Sequence, residues 1–307
     1  MRESARTAPV ARPSRNLLPM LAWLSAGLLP LACSSQPQAP HGSPVLVGVF
    51  WVTGSAHTQV WGADPDAGAG PVPPGASQVD FVFDRRLDGA RVEDTVGSMT
   101  VAKASPPITV GWPEPDSVMS DPPFAADVFY NSVPLYGGQS AYVFLRPRAV
   151  GFPSATAVTF ALDPTGLTSA YGEPMVGPSS ITVTTDHLGV LPRPPSGANG
   201  LDTFPPTFQL PVQFTARPTL SRVAAFTRAT ANGEAVPVRV AADAVDPTIV
   251  HVSSACAGGW PAGTRVDVSF DAGLPDAFGV PTDAPLPAGS FQVSGDADAA
   301  GQSDCTN

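Results

Sequence analysis

The sequence lacks most of the residues from which catalytic and metal centres are built. Its 307 residues include four histidines, three cysteines and a single lysine, Lys103. The histidines stand singly, and there is no HxxxH pair, no CxxC pair and no GxSxG around a serine. We therefore predict that the protein is not an enzyme.

Positive charge is also scarce. The chain has a formal net charge of −10, and the first 32 residues hold four arginines and one glutamate, so the rest of the chain carries −13. Neutralisation of phosphates by lysine and arginine supplies most of the affinity of nucleic-acid-binding proteins. Nucleic acid is therefore excluded as an expected partner.

Long uninterrupted helical segments are missing as well. The chain has 37 prolines and 29 glycines, about a fifth of all residues, and both types break helices. Hydrophobic residues make up 43% and charged residues 14%, which leaves enough apolar material for two modest cores. These proportions favour an all-β fold.

Residues 1–33 have the pattern of an export signal. Four arginines precede a mostly apolar run, Leu17 to Ala32, which is shorter than the roughly 20 residues of a membrane span. The run ends in LPLAC, which resembles the end of a bacterial lipoprotein signal and implies lipidation of Cys33. Ordinary cleavage near Ala32 and an uncleaved anchor are the alternatives. Acyl chains would hold the protein on a membrane at the cell surface or outer membrane; without them, a secreted or periplasmic protein is expected.

Two stretches of the chain repeat one another. Residues 151–174, GFPSATAVTFALDPTGLTSAYGEP, match residues 259–281, GWPAGTRVDVSFDAGLPDAFGVP, at an offset of 108 that becomes 107 after a one-residue gap. In each copy, apolar and polar residues alternate with the period of a strand that has one buried face. A turn with glycines and an aromatic-glycine pair follows. The repeat predicts two homologous modules in tandem.

The repeated pattern resembles the bacterial immunoglobulin-like modules of surface-layer and other cell-surface proteins. The matching segments are Pro74-Gly75, VDFVFD, PAGTRVDVSF, GLPDAFG and ITVTT. The first copy departs from this pattern at Thr168-Ser169, where the turn aspartate is missing. The resemblance implies an all-β fold of two tandem immunoglobulin-like β-sandwiches, preceded by the signal segment.

The boundaries of these modules follow from composition and from the repeat. Residues 34–44 read as a proline-rich tether in which His41 stays solvated, and residues 45–186 as the first module. A linker at 187–205, the second module at 206–296 and a tail at 297–307 follow. The first module has 23 more residues than the second between the equivalent Phe83 and Gly151, and we place this insertion at about 105–139.

The insertion is rich in aromatic residues, namely Trp112, Phe124, Tyr130 and Tyr136. The rings either cover an open end of the sandwich or form a platform on which a sugar or an extended peptide stacks. Loops added to a rigid scaffold often carry binding sites. The four rings are therefore the candidate ligand-binding residues.

The cysteines of the body form an even pair. Cys33 belongs to the leader, which leaves Cys256 and Cys305 in a chain that we predict to be exported. A disulfide between them would stabilise the fold by roughly 4 kcal/mol in the chain-entropy description. Free thiols and pairing between chains are the alternatives.

No cofactor is expected, although the repeated turn of the second copy leaves one possibility open. Asp271 and Asp276 flank this turn and could supply oxygens to a weak calcium site. In the other reading, Asp276 caps its own turn by accepting backbone N–H groups.

These observations favour a non-catalytic cell-surface lipoprotein with a structural or adhesive role. Its expected partners are the membrane, through the lipid anchor, and a cell-surface protein or glycan. A carbohydrate- or peptide-binding accessory subunit that uses the insertion is the alternative. A secreted hydrolase with two facing carboxylates is a third reading, since sequence does not show which carboxylates face each other.

Overall fold

The computed structural model describes residues 41–62, 70–113, 124–133, 141–148, 151–191 and 203–295. All of them belong to one compact unit, Ala39–Asn307. The predicted leader and the C-terminal tail lie outside the described residues. Within the described ranges, no helix has the length and apolar character needed to cross a bilayer.

Residues 45–186 are named the first half, and their described part contains ten strands and one short helix. They are β1 (Leu46–Thr53), β2 (Ala56–Gly62), β3 (Gln78–Phe83), α1 (Gly89–Val92), β4 (Glu93–Val96), β5 (Met99–Ala102), β6 (Ile108–Gly111), β7 (Ala126–Asn131), β8 (Ala141–Pro147), β9 (Ala157–Leu162) and β10 (Ser180–Thr184). The strands form one sheet in the order β2-β1-β3-β8-β7 and another in the order β10-β9-β6. Strands β4 and β5 form a separate hairpin.

In the second half, residues 187–295, the described stretches 187–191 and 203–295 contain nine strands and one helix. They are β11 (Val190–Leu191), β12 (Thr203–Phe204), β13 (Leu210–Phe214), α2 (Leu220–Phe226), β14 (Thr227–Ala231), β15 (Glu234–Ala235), β16 (Val238–Ala242), β17 (Ile249–Ser254), β18 (Arg265–Phe270) and β19 (Leu286–Val293). One sheet has the order β11-β13-β17-β16 and the other the order β12-β19-β18-β14-β15.

Each half buries its own hydrophobic core between two sheets. Apolar residues alternate with polar ones along β9 and β18, so that one face of each strand is buried. Phe81 and Phe160 meet across the first core with ring centroids 5.4 Å apart, and Phe214 and Phe270 meet across the second at 5.0 Å. The predicted all-β, sandwich-type fold is confirmed.

The two halves share a strand order. In the first sheet of each half, the central strand (β3 or β13) is flanked by β1 and β8 or by β11 and β17. In the second sheet, β9 lies between β10 and β6, as β18 lies between β19 and β14. The repeat seen in the sequence therefore extends to the order in which the strands pair.

This register also locates the extra residues of the first half. Ile108 pairs with Leu162 as Thr227 pairs with Phe270, so β6 and β14 are equivalent. From Phe83 to Ile108 the chain takes 25 positions, against 13 from Phe214 to Thr227. About half of the 23 extra residues therefore precede β6 and include the β4–β5 hairpin, upstream of the range 105–139. The hairpin has ordinary strand composition, which does not mark it as an insertion.

Candidate functional site

The most elaborate polar arrangement among the described residues lies in the turn that follows β18. Gly273 and Gly279 have φ values of +89° and +84°, which favour glycine. The hydroxyl of Thr282 accepts hydrogen bonds from the backbone N–H groups of Gly273 and Leu274, at 3.1 and 3.2 Å. These contacts hold residues 275–280, which we name the docking turn, in one shape.

Asp276 joins the docking turn to the first half. Its Oδ1 accepts hydrogen bonds from the backbone N–H groups of Phe278 and Val280, at 2.8 and 2.9 Å. Its Oδ2 accepts hydrogen bonds from the backbone N–H and the hydroxyl of Ser154, both at 2.8 Å. One carboxylate oxygen therefore closes the turn, and the other binds a residue 122 positions away.

The Asp276 carboxyl is only 1% exposed. Burial raises its pKa, against the opposing effect of the hydrogen bonds from Ser154, Val280 and Phe278. Asp276 forms no ion pair with the described part of the chain. Among the described residues, hydroxyl and amide donors satisfy this buried acid.

An aromatic contact lies beside the carboxylate. Phe278 is 4% exposed and packs against Trp112 and Phe124, with ring centroids 5.3 and 6.3 Å away. Trp112 and Phe124 are perpendicular to each other at 4.9 Å, and Phe124 continues to Phe152 of the first core at 5.7 Å. Two of the four predicted ligand-binding rings thus contact the second half of the chain.

The two halves also approach each other through their backbones. A Cβ atom on Gly75 would lie 2.0 Å from the carbonyl oxygen of Thr215, so only glycine fits this position without a shift. We name the whole contact, formed by Gly75, Trp112, Phe124, Ser154 and the docking turn, the junction.

The first half has the same turn, with different residues at the key positions. Ser169 stands where the second half has Asp276, and its hydroxyl accepts hydrogen bonds from the N–H groups of Tyr171 and Glu173, at 3.2 and 3.3 Å. Ser169 also donates to Glu173 at 2.8 Å, a bond that lowers the pKa of Glu173. A serine thus closes this turn, which is why the missing aspartate does not abolish it.

The turn of the first half contacts the segment that precedes β1. Tyr171 stacks on His41 with ring centroids 3.9 Å apart, and Glu173 accepts a hydrogen bond from the backbone N–H of Gly42 at 2.9 Å. Arg85 donates to the carbonyl oxygen of His41 at 2.9 Å. The prediction that His41 only stays solvated is wrong, because its ring stacks on Tyr171 of the turn and its carbonyl oxygen binds Arg85.

The other predicted site residues have separate environments. The Tyr130 hydroxyl accepts a hydrogen bond from the N–H of Leu87 at 3.2 Å, and burial raises the pKa of Tyr130. Asp271 forms an ion pair with Arg228 at 2.7 Å, whereas Asp276 lies in the junction. The described residues contain no group of three or more His, Cys, Asp or Glu side chains that could hold a metal. A calcium site at Asp271 and Asp276 stays a prediction.

Cys256 is disulfide-bonded and packs against the second core. Its bonding partner is not among the described residues, so the pairing with Cys305 stays a prediction. Tyr136 and Cys33 also lie outside the described residues.

A shallow depression of about 240 Å³ lies on the outer face of the second half. It forms where the pairing of β18 and β19 shifts register between Val268 and Ser269. Asp267 and Arg228, which line it, are bound to Ser290 and Asp271 respectively. The two charged side chains that line the depression are therefore already bound to other residues of the chain.

Sequence reasoning did not find the contacts of Ser154 and Gly75 with the second half. Gly75 belongs to the Pro74-Gly75 segment of the resemblance and Ser154 to the repeat, but neither pattern indicates their partners, which are distant in the sequence. The available signal was the difference between Asp276 and Ser169 at matching positions of the repeat.

Strand order and buried cores define an all-β, sandwich-type protein. No model of a known protein family matches the sequence, and no curated protein matches it. Among solved structures, the chain is similar to FdeC of Escherichia coli, a broadly conserved adhesin that elicits protection against urinary tract infections. The match covers 73% of this chain and 61% of the FdeC chain, with 11% identity and a TM-score of 0.18. This chain thus spans less than two thirds of FdeC, and so low a similarity carries no argument about function.

Proposed function

We propose that this chain is an exported, non-catalytic surface protein in which two tandem immunoglobulin-like modules form a stiff spacer with a structural or adhesive role. In this proposal, lipid on Cys33 anchors the chain to a membrane. The LPLAC sequence and the basic front of the leader support the anchor.

The junction is the observation that supports the proposed role as a spacer. Contacts between domains of one chain are usually polar and loose, which allows the domains to move. Here a buried carboxylate binds two donors of Ser154, and Phe278 packs against Trp112 and Phe124. Such a contact restricts bending between the halves, as a spacer that holds its outer module at a fixed distance requires.

The spacer is tested by the distance between spin labels on the two halves. Ala161→Cys in β9 and Ala241→Cys in β16 replace exposed alanines outside the junction. We expect a narrow distance distribution in the otherwise unchanged chain and a broad one after Phe278→Ala. Tyr171→Ala, the matching change in the first half, is the control and should leave the distribution narrow. A broad distribution in the unchanged chain would contradict the spacer.

The adhesive part of the proposal is tested with the mature chain on a glycan array and in pull-downs from surface extracts. Capture of one surface protein, reduced by changes on the exposed faces of the modules, would support adhesion. Glycan binding that Trp112→Ala abolishes at unchanged fold would instead favour the carbohydrate-binding subunit. Turnover of an ester, peptide or glycoside substrate would contradict the non-catalytic proposal.

A further inference from the structure

Exposed apolar side chains are concentrated at one end of the first half. This end, which we name the proximal end, is where β1 begins, β3 ends, β8 begins and β7 ends, as the pairs Leu46–Phe83, Phe83–Ala141 and Asn131–Tyr142 show. Seven of the nine large hydrophobic residues that are exposed in the described ranges belong to it. They are Val45, Val47, Val96, Met99, Val133, Tyr171 and Val176.

The most exposed of these residues lie at the tip of the β4–β5 hairpin. Val96 and Met99 are a cross-strand pair and are 66% and 69% exposed. The base of the hairpin is held to the proximal end, because Glu93 accepts a hydrogen bond from the N–H of Tyr130 at 2.9 Å. The second half has no equivalent of this hairpin, since α2 leads directly into β14.

The charges around the hairpin are balanced. Arg85, Arg91 and Lys103 each form an ion pair with a nearby acid, Asp84, Asp88 and Asp94 respectively. Such pairs are weak at a surface and leave no strong field of either sign. The proximal end therefore offers an apolar contact whose strength should depend little on salt.

The chain reaches the proximal end at His41. The hydrogen bonds of His41 and Gly42 to Arg85 and Glu173 attach this point of the chain to the first half. Cys33 precedes His41 by eight residues, and an extended chain covers at most about 3.6 Å per residue. Lipid on Cys33 would thus keep the proximal end within about 29 Å of the membrane.

We propose that the proximal end, together with the exposed Val96–Met99 tip of the hairpin attached to it, rests in the interfacial region of a lipid bilayer. This inference rests on the proposed lipid anchor. The anchor raises the effective concentration of the proximal end at the bilayer, so a weak apolar contact suffices. Together with the anchor it would orient the spacer relative to the membrane, which a single flexible tether cannot do.

The test places a fluorescent label at the hairpin tip of the full chain. Ser98→Cys replaces an exposed turn residue between Val96 and Met99, and Val245→Cys, at a valine of the second half that is 91% exposed, is the control position. The labelled chains are produced with their own leader and reconstituted into vesicles of phosphatidylethanolamine and phosphatidylglycerol. Quenching by aqueous iodide then reports how far each label is shielded from water.

We expect iodide to quench the label at position 98 at least about threefold less than the label at position 245. Val96→Ser with Met99→Ser should remove this protection, and Val245→Ser should not. Equal quenching at both positions would overturn the proposal. Protection that appears in native envelope membranes and not in lipid vesicles would also overturn it, because the occupant would then be a protein.

The anchor itself is tested separately by incorporation of a labelled fatty acid, with Cys33→Ser as the control. If the unchanged chain takes up no acyl label, the anchor of the proposed function fails. The iodide experiment is then repeated with the Cys33→Ser chain at raised lipid concentration. Protection at position 98 would still support the bilayer contact, and equal quenching would overturn it.

Discussion

The two halves use one turn for contacts of very different size. In the second half, Asp276 and Phe278 bind another sandwich through Ser154, Trp112 and Phe124. In the first half, the matching Ser169 and Tyr171 belong to a turn that contacts a short segment at His41 and Gly42. Both halves contain this turn, so the side chains at its two matching positions determine what the turn contacts.

Serine and aspartate both close the turn, and they differ in the acceptor atoms that remain for other partners. The Ser169 hydroxyl accepts both N–H groups of its turn and gives its only proton to Glu173. Asp276 closes its turn with one oxygen and keeps the other for Ser154. Because aspartate has a second acceptor oxygen, the residue that caps the turn can also bind the other half.

The largest expected effect follows removal of the aromatic side chain. Phe278→Ala should lower the free energy of unfolding by about 3 kcal/mol, because it empties a buried site between Trp112 and Phe124. Tyr171→Ala should cost about 1 kcal/mol or less, since Tyr171 is 41% exposed. Urea unfolding followed by tryptophan fluorescence measures both. Equal losses would mean that the two turns contribute equally to stability, which would contradict the difference in the size of their contacts.

The next largest effect concerns the buried acid. Asp276→Asn should cost about 2 kcal/mol at neutral pH, because an amide nitrogen next to the Ser154 N–H sets two donors against each other. Ser169→Ala is the matched change in the first half and removes the longer hydrogen bonds, at 3.2 and 3.3 Å, of a turn that is less buried at Tyr171, so a smaller loss is expected.

The contributions of Asp276 and Glu173 to the free energy of unfolding should change in opposite directions as the pH falls. The folded-state pKa of Asp276 is raised by burial, so the folded chain holds this proton more tightly and gains stability from Asp276 as the pH falls from neutral towards 3.8. The pKa of Glu173 is lowered by its bond to Ser169, so the stability from Glu173 is present above its ordinary value of 4.5 and is lost as the pH falls. Unfolding of Asp276→Asn and Glu173→Gln, each compared with the unchanged chain across this range, measures the two slopes. Slopes of the same sign would contradict the assignment.

A third prediction concerns the close approach of the two backbones at Gly75 and Thr215. Gly75→Ala should cost about 2 kcal/mol, because the added methyl group meets the Thr215 carbonyl oxygen and forces the halves apart. Gly258→Ala is the control, since a Cβ atom at Gly258 would meet nothing within 4 Å. Thermal unfolding of the two variants gives the difference. An unchanged melting temperature for Gly75→Ala would show that the junction is loose.

The sequence predicted what depends on local pattern. Alternation along residues 265–270 predicted a half-buried strand, and the turn chemistry of Asp276 predicted that it caps its own turn, as its Oδ1 does. The role of its Oδ2 could not be predicted, because Ser154 lies 122 positions away and carries no motif. Composition marked Trp112 and Phe124 as unusual, but their contact with Phe278 depends on how two separately folded cores meet. The β4–β5 hairpin was missed because its sequence has no Asn-Gly or proline signal.

The smallest expected effect concerns a matching position with a left-handed backbone, which is alanine in the first half and glycine in the second. Ala155 has a φ of +46°, and the matching residue of the repeat, Gly263, has a φ of +68°. A side chain in this region costs roughly 1–2 kcal/mol, whereas the greater freedom of glycine in the unfolded chain costs roughly 0.5–1 kcal/mol. Ala155→Gly should therefore stabilise the chain by about 0.5 kcal/mol, and Gly263→Ala should destabilise it by about 1 kcal/mol. Urea midpoints of the two variants measure these changes. Because Ala155 follows Ser154, a loss of stability in Ala155→Gly would instead indicate that the stiffness of alanine at this position holds Ser154 in place for Asp276.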